Sequence, residues 1–334
     1  MLTTKLTLLL CPLLALPFFG TEPAGEQVAV DPEIAARVLA ELRSLIGENY
    51  AYKGHEKWLL DSLAENHKLG FYDDLDPAQL GSSITEDLRG WTSDKHFMVA
   101  HLPRFAAELE AHAAKPSTDA EPKDDPGEAA ANFGVKRAEM VSENVGLIHL
   151  DQIAFSPGTV PAFQKALAGL PEASALILDL RDNHGGSGDT VPSLLSCFFP
   201  KGEKVVFATH YWRPTDKTKT IETNPDLDGA RFLDFPVFIL TSKDTRSAAE
   251  ALAYHLRAFG RARVVGEPSS GGAHPADMRS LGDGFVALVP MGIVTSAKTG
   301  TDWECRGVPV DHPCEASEAE ELALKLAQQM LAED

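Results

Sequence analysis

Three short stretches of this chain hold residues able to act on a carbonyl group. The first is Thr241-Ser-Lys-Asp-Thr-Arg-Ser247-Ala-Ala-Glu250. It follows an apolar run, Val237 to Thr241, and leads into Ala248, Leu252, Leu256 and Phe259 at helical spacing, with Gly260 as a stop. A serine at a strand–turn–helix corner exposes its hydroxyl where the first free N–H groups of a helix point outward, which suits a nucleophile and a developing oxyanion. The same Ser-Ala-Ala-Glu also spells a capping box, with Ser247 as cap and Glu250 reaching back, and spacing alone leaves both roles open. The second stretch is Arg181-Asp-Asn-His184-Gly185-Gly186-Ser-Gly188, after another apolar run. Glycines there either expose N–H groups as a nest for a negative oxygen or simply allow a tight turn. The loop is neither a P-loop nor a GxGxxG, and it has no lysine for a phosphate. The third is Asp94-Lys95-His96, at a turn before a strand. His96 is a general base or a solvated turn histidine.

Bulk properties narrow the partners. The chain has 334 residues, 30 Lys+Arg and 49 Asp+Glu, for a net charge of −19. So acidic a chain repels nucleic-acid phosphates and anionic membranes, so neither is expected as a main partner. Lys5 followed by the apolar run Leu6 to Phe19, broken by Pro12 and Pro17, reads as a secretory signal peptide over residues 1–24. It is too short for a comfortable span, and no later run reaches spanning length, so the mature protein is expected to be exported, periplasmic or secreted, without a membrane span. Lipidation at Cys11 is the lesser option. Cys305 and Cys314 are close enough in sequence to close a short disulfide loop, leaving Cys197 as a buried thiol. No CxxC or Cys/His cluster has zinc spacing, so neither a metal nor a cofactor is expected.

The positioning elements divide in two. Residues 25–103 read as an N-terminal bundle of three helices: one from Asp31-Pro32, one from His55 to Leu69 with Trp58, Leu59 and Leu63 inward, and one from Asp76-Pro77. Residues 104–132, rich in charge and proline beyond His112, read as a linker or mobile loop. Residues 133–334 alternate apolar strands (Val145–Leu150, Ala175–Leu180, Val205–Thr209, Val237–Thr241, Arg263–Val265, Phe285–Val289, Ile293–Val294) with helices, ending in one from Ser317 to Leu331, which implies an α/β core.

Taken together, Ser93-Asp-Lys-His96-Phe, Leu178-Asp-Leu-Arg-Asp-Asn-His-Gly-Gly186, the Ser247 stretch, Val265-Gly-Glu-Pro-Ser-Ser-Gly-Gly-Ala-His-Pro275 and Asp302-Trp-Glu304-Cys-Arg-Gly-Val-Pro-Val310 resemble, in order, the S41 serine peptidases. These include carboxy-terminal processing proteases, tricorn core proteases and the interphotoreceptor retinoid-binding protein-like branch. The resemblance implies a crotonase/Clp-protease-like core behind the helical domain, without a PDZ domain, and Ser247 as nucleophile. Processing proteases of the family carry a lysine base where this chain reads Ser270-Gly271-Gly272-Ala273. The departure points to the tricorn-like arrangement, with His96 as base and Glu304 in the same site. Gly185 or Gly186, with Ala248, would supply the oxyanion N–H groups. His274 is the rival base; His184 and Arg181 are possible substrate contacts. The implied function is an exported endopeptidase acting on unfolded or C-terminal polypeptide segments. The alternative is a carrier of an apolar ligand, retinoid or fatty acid, on the same fold.

Overall fold

The computed structural model describes residues 28–114 and 123–333, so the expected signal peptide lies outside the described residues. In chain order the elements are α1 (Pro32–Asn49), α2 (Glu56–Lys68), α3 (Pro77–Thr92), β1 (Met98–His101), α4 (Pro103–Ala113), α5 (Pro126–Ala130), β2 (Val135–Met140), β3 (Val145–Leu150), α6 (Thr159–Ala168), β4 (Ala175–Asp179) and α7 (Val191–Ser196). They continue as β5 (Val206–Trp212), β6 (Lys217–Glu222), β7 (Val237–Thr241), α8 (Ala248–Ala258), β8 (Arg263–Gly266), β9 (Ala276–Gly282), β10 (Phe285–Pro290), β11 (Gly292–Ser296), β12 (His312–Pro313) and α9 (Ala319–Glu333).

A six-stranded sheet of order β12-β8-β7-β4-β3-β2 forms the frame, parallel except for β2 at its edge. Its middle strands are unbroken apolar runs because both faces are covered. Ile148, Leu178 and Ile239 face Phe163 of α6, Leu194 of α7 and Leu252 of α8. Their neighbours Leu147, Ile177 and Phe238 face Ala319, Ala323 and Ala327 of α9. Fully burying one such side chain contributes roughly 1.5–3 kcal/mol. Since β4 and β7 are adjacent and parallel, the loops after them, carrying the glycine run and Ser247, emerge side by side at the same sheet end.

The N-terminal helices begin as expected. Asp31 caps α1 ahead of Pro32, and Asp76 with Gln79 makes a full capping box ahead of Pro77. The helices do not close a core alone. Val38, Leu42, Leu63 and Ile84 share theirs with Phe285, Ala287 and Val289 of β10, in the antiparallel sheet β1-β10-β9. Trp58, expected inward, is 51% exposed and lies edge-on to Trp91, 6.1 Å away.

Two expectations need correction. The linker begins with a helix: Phe105 and Ala106 of α4 pack under Met278, Val286 and Leu288. Further along, Asp125 caps α5, whose Glu128 carboxylate accepts from the N–H groups of Phe155 and Ser156. Cys305 and Cys314 are free, as is the buried Cys197. The Cys305 thiol donates to Ser93 O at 3.4 Å, whereas Cys314 packs beside α9, so the two thiols face different parts of the fold.

Candidate active site

Ser247 ends the turn after β7 and starts α8 with φ +50° and ψ −116°. That backbone costs a serine roughly 1–3 kcal/mol, and the surroundings hold it there. Glu250 is fully buried. Its Oε2 accepts from the N–H of Ser247 at 2.7 Å and of Gly272 at 2.9 Å. Its Oε1 accepts from Ser269 Oγ and the N–H of Gly271, both at 2.6 Å. The residue that reads as a helix cap thus clamps the serine corner to the 269–272 loop. Burial raises the Glu250 pKa, and its four donors pull the other way.

Asn183, fully buried, fixes the second side. Its Nδ2 donates to Leu150 O at 2.8 Å, and its backbone O accepts from Arg246 N–H at 3.0 Å. Its Oδ1 accepts from Gly185 N–H at 2.9 Å. Gly185 therefore has no amide left for an oxyanion, which removes it from the expected donors. Gly186 differs. Its neighbours bond Ile153, through Ile153 N–H to Gly185 O and Ser187 N–H to Ile153 O, so its own N–H points away. A side chain at Gly186 would meet Ile153 O at 2.0 Å, at a φ of +131°. Among the described residues no acceptor faces the N–H of Gly186 or Ala248, and both residues line one cavity with Ser247.

His96 lines the same cavity. It gets there because α3 ends at Ser93 with φ +61°, turning the chain back. Val99 N–H then donates to Thr85 Oγ1 at 2.8 Å, and Arg89 Nε donates to Phe97 O at 2.7 Å, tying the segment to α3. The imidazole lies against Gly272, where a methyl group would sit 2.9 Å from Cε1 and 3.5 Å from Glu250 Oε2. His96 Nδ1 is buried without a hydrogen bond among the described residues, 3.8 Å from Asp94 Oδ1. Burial lowers the His96 pKa below its ordinary 6.5, against the pull of Asp94. The ring is therefore neutral at pH 7 and able to accept a proton.

The remaining expected residues lie elsewhere. His274 is buried away from the cavity. Its Nδ1–H donates to Asp94 Oδ2 at 2.5 Å, and Tyr52 OH lies 2.9 Å from Nε2. With both nitrogens engaged, it has none to offer Ser247. Glu304 does not line the cavity either; its Oε2 accepts from the N–H groups of Ala273 and His274 and lies 3.5 Å from His274 Nδ1. Burial, and then Asp94, raise its pKa to about 7. The carboxylate beside His96 is Asp94, which the sequence reading placed at the turn without a role. Its signal was position: two residues ahead of the histidine, it accepts from His96 N–H at 3.0 Å. Ligand atoms of Asp94, His274 and Glu304 lie within 4.8 Å of one another, a spacing a cation could use, but their mutual hydrogen bonds account for it. Arg181 is spent on Asp179, Glu320 and Ala316 O, and exposed His184 on Asp244 O.

Comparison with known proteins adds an independent line. The model of peptidase family S41 matches residues 144–313, which include Ser247, Gly186 and Glu304 but not His96. Over 167 residues the chain is 30% identical to the carboxy-terminal processing protease CtpB of Bacillus subtilis (strain 168), covering 46% of this chain and 33% of that one. Over 177 residues it is 30% identical to the chloroplastic carboxyl-terminal-processing peptidase 2 of Arabidopsis thaliana, covering 52% and 32%. The matched part is thus about a third of each relative's length. Among solved structures, a putative peptidase from Parabacteroides merdae ATCC 43184 superposes with TM-score 0.59 at 17% identity, covering 89% of this chain and 97% of that one. Mature CPAF complexed with lactacystin gives 0.58 at 12%, covering 90% and 98%. The tricorn protease gives 0.57 at 12%, covering 90% and 37%. At such identities these speak for the fold.

Proposed function

Because the chain belongs to peptidase family S41, we propose that it is a serine endopeptidase in which Ser247 attacks a peptide carbonyl and His96 is the base. One observation carries the reading: a serine in a strained corner shares a cavity with a neutral histidine and two open N–H groups. His96 takes the hydroxyl proton as Ser247 Oγ bonds the carbonyl carbon, and the oxyanion settles on the N–H of Gly186 and Ala248. His96 then returns the proton to the leaving amine, and water releases the acyl group by the same steps reversed. Asp94 faces the imidazolium as it forms; His274 holds Asp94 through its Nδ1–H, Glu304 holds the backbone N–H groups of Ala273 and His274, and both act as positioning residues.

The substrate we propose is an unfolded or C-terminal polypeptide segment, met outside the cytoplasm, the latter resting on the leader-like residues 1–24. Among the described residues no helix is long and apolar enough to cross a membrane. The carrier reading draws support from the cavity's apolar lining, but about 180 Å³ is little more than the ~150 Å³ that holds a benzene ring, too little for a fatty-acid chain. A fluorophosphonate probe separates the two. We expect it to label Ser247 and to stop hydrolysis of denatured casein; fatty-acid binding with Ser247 unlabelled would favour the carrier.

The base assignment fixes a pH dependence. His96 must be unprotonated to act, and burial makes it release its proton more readily than free imidazole does. The limb of kcat/KM that reports His96 is expected to fall with a midpoint below 6.5. A pH–rate profile on a peptide checks this; an acid limb with no midpoint below 6.5 would take the role of base from His96.

A further inference from the structure

Asp94 serves two histidines at once. Its Oδ1 accepts from His96 N–H at 3.0 Å and stands 3.8 Å from His96 Nδ1, while its Oδ2 accepts from His274 Nδ1–H at 2.5 Å. With Nδ1 turned to Asp94, Nε2 is the nitrogen His96 has left for the hydroxyl of Ser247. The aim of the carboxylate therefore depends on the ring of His274. That ring is held at its far nitrogen by Tyr52, whose hydroxyl lies 2.9 Å from Nε2.

Tyr52 sits in the turn between α1 and α2, and both its chain neighbours are fixed. Ala51 N–H donates to Pro290 O at 3.0 Å, at the end of β10, and Lys53 Nζ meets Asp216 Oδ1 at 2.6 Å, between β5 and β6. The Tyr52 ring stands edge-on to His274, 5.1 Å between centroids, and stacks on His55 at 5.9 Å. Burial, then Asp302, Glu304 and Asp94, push its pKa up to about 12, so the phenol keeps its proton at neutral pH. A hydroxyl suits both states of His274: it donates to Nε2 of the neutral ring and accepts from Nε2–H of the imidazolium. Without it, Nε2 is an unpaired nitrogen in a ring only 2% exposed. The other neutral tautomer, with its proton on Nε2, would turn the Nδ1 lone pair against the Asp94 carboxylate.

We propose that Tyr52 is a positioning residue for the proton transfer: its hydroxyl fixes the ring of His274, and His274 holds Asp94 where it faces the imidazolium of His96. The inference rests on the peptidase reading and extends its site to the turn between α1 and α2. The charged or titratable groups around His96 are Asp94, His274, Arg89 and Arg246, with Glu250 behind Gly272. Those around His274 are Asp94, Glu304, Asp302 and Tyr52. Burial lowers the His96 pKa and Asp94 opposes it, so an Asp94 no longer held in place lets the pKa fall further.

The test is Tyr52→Phe in the full chain, which keeps the ring and removes the hydroxyl. Tyr52 does not line the cavity beside Ser247, so KM for a peptide has no contact to lose. The expected result is kcat lowered about tenfold, the worth of one buried hydrogen bond, with KM unchanged and the His96 limb of the pH profile moved to lower pH. A kcat equal to that of the wild type, a loss confined to KM, or an unmoved limb overturns the proposal. A second measurement needs no variant: ¹⁵N NMR of the wild-type chain is expected to find His274 Nδ1 protonated at every pH at which the chain is folded, and an unprotonated Nδ1 overturns the proposal. Fluorophosphonate separates the two readings. Ser247 labelled while Tyr52→Phe leaves kcat unmoved brings down this inference alone; Ser247 unlabelled in the wild type brings down the peptidase reading and this one with it.

Discussion

Replacing Ser247 with alanine is expected to lower kcat/KM for peptide hydrolysis by about 10⁴-fold or more. The nucleophile, the base and the leaving-group acid work through one hydroxyl, so removing it removes the covalent path; what persists comes from the oxyanion donors and binding. Both donors are backbone N–H groups, so the variant keeps them. Folding should change little, because Glu250 is held by the backbone N–H of residue 247, not by the hydroxyl. The strained corner provides an internal control. Glycine tolerates φ +50° without the steric penalty of a Cβ. Ser247→Gly, equally inactive, is therefore expected to exceed Ser247→Ala in stability by about 1 kcal/mol, measured by urea unfolding. Turnover surviving in both variants would take Ser247 out of the chemistry.

The second large effect belongs to Glu250, where substitution by glutamine should destabilise by about 4 kcal/mol. Two donors point at each carboxylate oxygen, from Ser247 and Gly272 on one and Ser269 and Gly271 on the other. A glutamine NH₂ would set a third and fourth hydrogen against one such pair, leaving two buried donors unmatched at roughly 1–3 kcal/mol each. The expected signature is a fall in Tm of about 8 °C or more, by calorimetry, with a loss of activity as the 269–272 loop releases the serine corner. The ionisation carries its own sign. Because the folded pKa of Glu250 lies above its ordinary 4.5, deprotonation costs the wild-type protein stability as pH rises from 4.5 through the folded value. The glutamine variant lacks that dependence. A Tm unchanged by the substitution would show that the clamp does not hold the corner.

Much of the frame is written in the runs at 145–150, 175–179 and 237–241, since strands buried on both faces need no alternation to be seen. Strand β6, Lys-Thr-Lys-Thr-Ile-Glu, has most of its side chains exposed and is a strand only because β5 pairs with it, a partner no local pattern announces. At the site, residue types pointed to Ser247 and His96. They could not say that Asn183 consumes the amide of Gly185, because that depends on which way a peptide plane faces. Nor could they separate Asp94 from Glu304 as the carboxylate beside His96, since that choice is made by tertiary approach: Glu304 turns to the amides of Ala273 and His274, and Asp94 is carried in by the turn at Ser93.

Strand β1, which carries His96 into place, pairs Met98 with Leu288 of β10. During synthesis the imidazole leaves the ribosome long before the strand that seats it exists, and the serine emerges between the two. If Ser247 and His96 are the pair we propose, a half-made chain holds both without the strand that seats the histidine. Activity is then expected only once residues 285–290 have been made and paired with β1.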